Sequence, residues 1–237
     1  MRWLSRLFGA APPAVDLPSA QRAALADWQR LPAVDLDAAH QRCRYVVVDV
    51  ETSGLNMKTD RLISIGAVAL VDGRIDFADA FAVILRQDQV SSDANILIHG
   101  IGGSAQSEGI DPATALLAFL GYIGKAALVA YHAFFDRAMI EKAMRQYLGV
   151  ALAQTWIDLA WVLPSLFPDL TLARANLDDW LNLFAIENIM RHNAVSDAYA
   201  TAKLLQVAIS AGNQRGVASP AGLLRQEKAR RWMDQHR

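Results

Sequence analysis

The chain has 237 residues, 53% apolar and 20% charged, which is enough for a substantial core and excludes disorder of the whole chain. A single cysteine, Cys43, excludes an intrachain disulfide or a cysteine zinc cluster and points to a reducing cytoplasm. The net charge of −1 is unlike a generic nucleic-acid binder, yet it is uneven: residues 213–237 hold six basic and two acidic side chains, and the stretch 43–212 is strongly acidic.

Residues 1–16 read as a loose lead in which Trp3, Leu4, Leu7 and Phe8 fall at helical spacing. Pro12 and Pro13 cut that apolar run short, so a cleaved signal is not expected, and no apolar run is long enough to span a membrane. A helix is expected over 19–30, with Ala24, Leu25, Trp28 and Leu31 on one side and Pro32 as its stop. Residues 44–50 (RYVVVDV) are β-branched and nearly continuous in apolar side chains, which predicts a strand buried on both faces and broken by Ser53-Gly54. A second strand over 61–71, a hairpin turn at Asp72-Gly73 and a third strand over 75–85 follow.

A polar, glycine-rich loop is expected over 88–109, then a helix capped by Asp111 with Pro112 in its first turn. A short strand over 126–130 requires a parallel crossover. A helix closed by Gly149 comes next, then a fifth strand over 155–159 running into a helix that ends at Pro164. Helices over 177–185 and 195–210 complete the pattern. The order predicts an α/β fold: a central mixed five-stranded sheet, made of a three-stranded antiparallel meander plus parallel strands, flanked by helices. The expected division is an N-terminal extension with one helix (1–42), a central α/β domain (43–212) and a basic C-terminal helical tail (213–237). In the tail, Arg225, Lys228, Arg230 and Arg231 can touch phosphates, or Trp232 and the leucines can dock the helix while the basic residues face water.

Three signals carry chemistry. Asp49 and Glu51 alternate on one face at the C-terminal end of the first strand, where open α/β sheets bind ligands and where a divalent cation would neutralise them. Taken alone they also fit a pair of surface acids. Thr52 can offer its N–H and hydroxyl there, and Gly54 lets the backbone pass close to a ligand. Asp136 follows the fourth strand and opens a helix; alone it also fits an acid that complements the helix dipole. His192 and Asp197 lie five apart, about 140° on one helix, so they share a cleft only if His192 precedes the helix and Asp197 sits in its first turn. Four carboxylates suit Mg²⁺ or Mn²⁺ rather than zinc. A pair of such ions roughly 3.5–4 Å apart suits in-line displacement at phosphorus, and a neutral imidazole suits deprotonation of the attacking water.

Together, Tyr45 to Leu55 with Asp49-Val50-Glu51-Thr52, then Phe135-Asp136, then His192-x-Ala194-x-x-Asp197-Ala198, resemble the DEDDh 3′–5′ exonuclease superfamily, which includes the proofreading (epsilon) subunit of bacterial DNA polymerase III. The resemblance covers about residues 43–210. It implies a ribonuclease H-like fold, two Mg²⁺ (or Mn²⁺) on Asp49, Glu51, Asp136 and Asp197, and His192 as the base. It also implies substrate contacts at Thr52, Leu55, His99, His132 and Phe135, with His99 in the run Ile98-His99-Gly100-Ile101. One departure stands out: His132 occupies the usual Asn position of the second motif, which touches substrate preference rather than the metal set. The implied activity is release of nucleoside monophosphates from 3′ ends of single-stranded nucleic acid, DNA favoured over RNA, by a stand-alone or accessory cytoplasmic enzyme with a possible polymerase or repair partner. An exoribonuclease of the oligoribonuclease or RNase T kind, and a non-catalytic nucleic-acid-binding module, are the alternatives.

Overall fold

The computed structural model describes residues 13–170 and 175–236, with backbone alone at Phe77. The apolar spacing at Trp3, Leu4, Leu7 and Phe8 lies outside the described residues. The first helix, α1 (Ser19–Arg30), buries Leu25 and Trp28, while Ala24 and Leu31 stay exposed. A 3₁₀ turn (His40–Arg42) leads into the first strand, β1 (Arg44–Thr52). Strand β2 (Leu62–Val71) and β3 (Arg74–Ile84) form the expected hairpin. Asp72 and Gly73 take φ of 51° and 72° in its turn, the left-handed pair that matches the twist of the flanking strands.

In place of the loop expected over 88–109, the chain forms two short helices, α2 (Asp93–His99) and α3 (Gly103–Ser107). Their ends explain why: Ser92 caps α2 by accepting the Asn95 N–H, and Gly100 closes it with φ 70°. Helix α4 (Pro112–Ile123) starts as expected, with the Asp111 carboxylate accepting the Thr114 N–H. Strand β4 (Ala127–Ala130), helix α5 (Ala133–Leu148) and strand β5 (Trp156–Asp158) supply the parallel part of the sheet. Helix α6 (Leu159–Leu166) runs past Pro164, because the final turn keeps its own bond from the Phe167 N–H to the Leu163 carbonyl. Helix α7 (Leu177–Leu183) stops earlier than expected, at a left-handed Ala185 with φ 51°, and α8 (Ala194–Gln214) runs longer. Helix α9 (Pro220–Gln235) occupies the tail.

The five strands stand in the order β3-β2-β1-β4-β5, with β1, β4 and β5 parallel. Alternation along β1 sends Val46, Val48 and Val50 into one core layer, beneath α1, α4 and α5, and Tyr45 and Val47 into the other, beneath α6, α7, α8 and α9. Asp49 and Glu51 continue the second set, on the side covered by α8. Both end segments contribute to these layers: Leu17, Leu25 and Trp28 to the first, and the fully buried Leu223 to the second. Trp232, expected among the docking residues, is instead 62% exposed. Among the described residues no helix is long and apolar enough to cross a membrane.

Truncating a fully buried leucine leaves a void that the surroundings refill only in part. Leu223→Ala should therefore cost about 2–5 kcal/mol of folding stability. A denaturant melt that detects less than about 1 kcal/mol would show that α9 is not integral to the core.

Candidate active site

The site forms at the end of the sheet where the parallel strands stop, and three elements supply its carboxylates. Asp49 and Glu51 come from the end of β1, opposite Gly66 and Ser64 of β2. Asp197 comes from the first turn of α8, which crosses β2 at Gly66: a Cβ on that glycine would lie 2.2–2.5 Å from the backbone of Ala194 and Val195. Only a residue without a side chain permits this crossing. As a result, carboxylate oxygens of Asp49, Glu51 and Asp197 all lie within 4.8 Å of one another. Gly66 has no direct signature in the sequence, because its role depends on a helix far along the chain.

Asp136, in the first turn of α5, is not part of that 4.8 Å set, but its charge is the strongest of those acting on Asp49. Burial, then the charges of Asp136, Asp197 and Glu51, hold the Asp49 carboxyl well above the usual carboxylate range. Burial followed by the Asp197 charge pushes Glu51 up to about 8. Burial pushes Asp136 up to about 7, with the Asp158 charge adding to it and backbone N–H groups, including that of Val50, opposing it. An all-oxygen set that resists ionisation in this way fits a hard divalent cation, which would supply the missing positive charge.

His192 lies in the loop before α8 and Asp197 in its first turn, the only arrangement that lets them share a cleft. His192 has φ 60°, its backbone N–H donates to Asp197 Oδ2 at 2.9 Å, and its residue is exposed. The other Asp197 oxygen accepts from Arg191 at 2.8 Å and from the Asn188 amide. Arg191 also reaches Asp178 at 2.9 Å. Sequence reasoning misses Arg191 and Asn188; the one available signal is a cation directly beside His192.

The substrate-contact candidates divide. Leu55 is 85% exposed, and Phe135 is half-buried against the core layer beneath α1, α4 and α5. Thr52 follows a β-bulge, and its hydroxyl donates to the Gly54 carbonyl at 2.7 Å. His99 is buried: its Nδ1 accepts the Ile101 N–H at 3.0 Å, and its Nε2 lies 3.4 Å from Ser91 Oγ. It nevertheless lines a cavity of about 530 Å³ shared with Glu51 and Asn193. His132 is exposed and left-handed at φ 61°, at the start of α5, and its ring stacks edge-on against Tyr131.

Two supports of the site lie outside the motifs. The Lys142 ammonium, on the helix that carries Asp136, donates to the carbonyls of Met57, Lys58 and Asp60 at 3.3, 2.8 and 2.7 Å. It thereby fixes the loop that displays Leu55. Asp158, at the end of β5, accepts the N–H groups of His132 and Ala160 on Oδ1, and Arg231 of α9 on Oδ2 at 2.8 Å. Glu227 closes this network, accepting the Asp158 N–H and Arg231 Nε, both at 2.9 Å. Asp158 carries the same sequence signal as Asp49, an acid at the end of a parallel strand.

The exonuclease family described as RNase_T matches residues 46–205, a span that includes all four carboxylates and His192. The chain belongs to this exonuclease family. Members are divalent-metal-dependent 3′–5′ phosphodiester hydrolases of the DEDD kind. Similar proteins include "DNA polymerase III PolC-type" of Clostridium perfringens, 32% identical over 68% of this chain and 11% of that protein. The Bacillus subtilis protein of the same name is 30% identical over 76% and 13%. The exonuclease chain thus spans about a tenth of the length of these relatives. Among solved structures, E. coli Exonuclease I in complex with a dT13 oligonucleotide has a TM-score of 0.61 at 17% identity, covering 73% of this chain and 42% of that one. Exonuclease X in complex with 5′ overhanging duplex DNA gives 0.57 at 20%, covering 71% and 93%. These likenesses bear out the ribonuclease H-like fold.

The raised carboxyls of the exonuclease site set its response to pH and metal. Carboxyls with raised folded-state values favour folding while protonated, so in EDTA their contribution is full below about pH 4 and is lost as pH rises through about 7 to 8. Mn²⁺ should therefore raise the melting temperature more at pH 8.5 than at pH 6; an increment independent of pH would contradict the coupling of metal to these groups. Gly66→Ala should overpack the β2–α8 crossing by about 1–3 kcal/mol and weaken Mn²⁺ binding at least tenfold. Unchanged Mn²⁺ affinity in a calorimetric titration would show that the crossing does not set the cluster.

Proposed function

We propose that the enzyme removes nucleoside 5′-monophosphates one at a time from the 3′ end of single-stranded DNA, using two Mg²⁺ or Mn²⁺ ions. The observation that carries this reading is the convergence of Asp49, Glu51 and Asp197 within 4.8 Å at the C-terminal end of the central strand β1. Asp136 serves as the fourth ligand from the start of α5. Bound divalent ions supply charge neutralisation at the scissile phosphate and acidify water. His192 is the general base: its backbone N–H is held by Asp197 and the residue is exposed, so the imidazole is open to water beside the carboxylates.

In the step, the water oxygen bonds to phosphorus as its proton passes to the imidazole. The P–O3′ bond breaks, and the departing 3′ oxygen is protonated from solvent. Leu55 and Phe135 are assigned to flank the terminal nucleotide, with Thr52 and His132 as further contacts and His99 in the wall of the cavity beside Glu51. A DNA substrate is favoured because the similar proteins are named as DNA polymerases and the two similar structures described above hold DNA. A stand-alone or accessory proofreading or repair role, with a polymerase as possible partner, is consistent with the same relatives. The assigned catalytic residues all fall within 43–212, and both flanking segments contribute residues to the core layers of that unit.

A 5′-labelled oligodeoxynucleotide incubated with Mn²⁺ should give a ladder that shortens from the 3′ end, abolished by EDTA and by Asp49→Ala. His192→Ala should lower kcat by roughly 10²–10⁴-fold, with Mn²⁺ affinity preserved. Hydrolysis of RNA alone, internal cleavage, or full activity in Asp49→Ala would each overturn the reading.

A further inference from the structure

The C-terminal helix presents two opposed stripes. The inner stripe, Leu223, Glu227 and Arg231, is spent on the fold: Leu223 is fully buried, and Glu227 and Arg231 bond Asp158. The outer stripe has the spacing of one helix face: Arg225, Lys228, Trp232 and His236, all exposed. Trp232 is 62% exposed and stacks on His236, with ring centroids 4.6 Å apart and planes at 27°. A large indole turned to water between basic side chains, on a helix whose other face is fully engaged, is not explained by folding.

We propose that this outer stripe is a binding platform for the single strand on the 5′ side of the nucleotide being removed, with its bases stacking on Trp232 and its phosphates facing Arg225 and Lys228. This rests on the exonuclease reading above and extends it to a second contact region outside the catalytic pocket. Three observations carry it. First, charge complementarity: the tail is the basic part of a chain that is acidic around its carboxylate centre, so a polyanion gains from reaching it. Second, chemistry: aromatic faces interleaved with cations hold single strands without reading sequence, as a nuclease that degrades any strand requires. Third, placement: Arg231, next to Trp232, is tied to Asp158, which holds the His132 N–H at the start of the helix bearing Asp136. The helix that bears the platform is therefore fastened, through its inner face, to the end of the sheet where the parallel strands stop. From Arg225 to His236 it runs about 16 Å along the helix axis, enough for a few nucleotides.

The test uses the full-length protein and two readouts. Fluorescence anisotropy of a labelled oligothymidylate in EDTA reads the platform without turnover, and hydrolysis of a thymidine dinucleotide in Mn²⁺ reads the catalytic pocket alone. Trp232→Ala should weaken oligothymidylate binding by about 5- to 150-fold, the span of base–aromatic stacking, and Trp232→Phe should restore most of it. Arg225→Ala with Lys228→Ala should reduce the slope of log affinity against log salt by about 1.4, since each neutralised phosphate of a single strand contributes about 0.7. All three variants should hydrolyse the dinucleotide at the wild-type rate. Wild-type oligonucleotide affinity and salt slope in these variants would overturn the platform, as would an equal loss on the dinucleotide or a failure of Trp232→Phe to rescue. If wild-type protein binds oligothymidylate and the variants lose that binding as expected, yet the protein hydrolyses neither substrate, the exonuclease reading fails and the stripe stands as a single-strand-binding surface alone.

Discussion

The close passage of helix α8 over β2 at Gly66 is the constraint on which the site depends. It sets the first turn of α8 against the end of β1, so that Asp197 meets Asp49 and Glu51. Three partly or fully buried carboxylates at that separation repel one another strongly. The chain manages this with Arg191 and the Asn188 amide on Asp197, and by holding Asp49 and Glu51 in a range where protonation persists. A divalent cation would resolve the same repulsion more completely, so the electrostatics of the cluster agree with the divalent-metal dependence of the family.

The fourth carboxylate is positioned by a separate mechanism. Asp136 rides on α5, whose entry turn takes the left-handed conformation at His132 and is held by Asp158. Asp158 in turn depends on Arg231 and Glu227, so the C-terminal helix belongs to the architecture of the catalytic end of the sheet rather than trailing behind it. Lys142 performs the equivalent task for the loop after β1, bonding three of its carbonyls from the helix that carries Asp136. A buried carboxylate such as Asp158 would be costly if left unpaired, which is why the tail is held in register.

Much of this is legible in the sequence. Five strands, the hairpin turn at Asp72-Gly73 and the capping of α4 by Asp111 all follow from local rules of periodicity, turn chemistry and capping. The positions of Asp49, Glu51, Asp136, Asp197 and His192 on strand ends and helix starts are legible for the same reason. The helices α2 and α3 are obscured by glycines that cap them rather than break them. Pro164 has the look of a stop, although the following turn retains its own hydrogen bond. Gly66, Arg191, Asp158 and Lys142 act through contacts between distant segments, which no local pattern encodes. The basic tail reads as one face; the fold divides it, sending Arg231 inward and leaving Arg225 and Lys228 to solvent.

The most direct test of the carboxylate cluster as a catalytic metal centre is anomalous scattering at the manganese edge from crystals grown with Mn²⁺ and a nucleoside 5′-monophosphate. The expected result is two peaks roughly 3.5–4 Å apart, enclosed by Asp49, Glu51, Asp136 and Asp197, with the phosphate against them and His192 turned toward it. Absence of manganese from this cluster, or a peak held by other residues, would contradict the assignment.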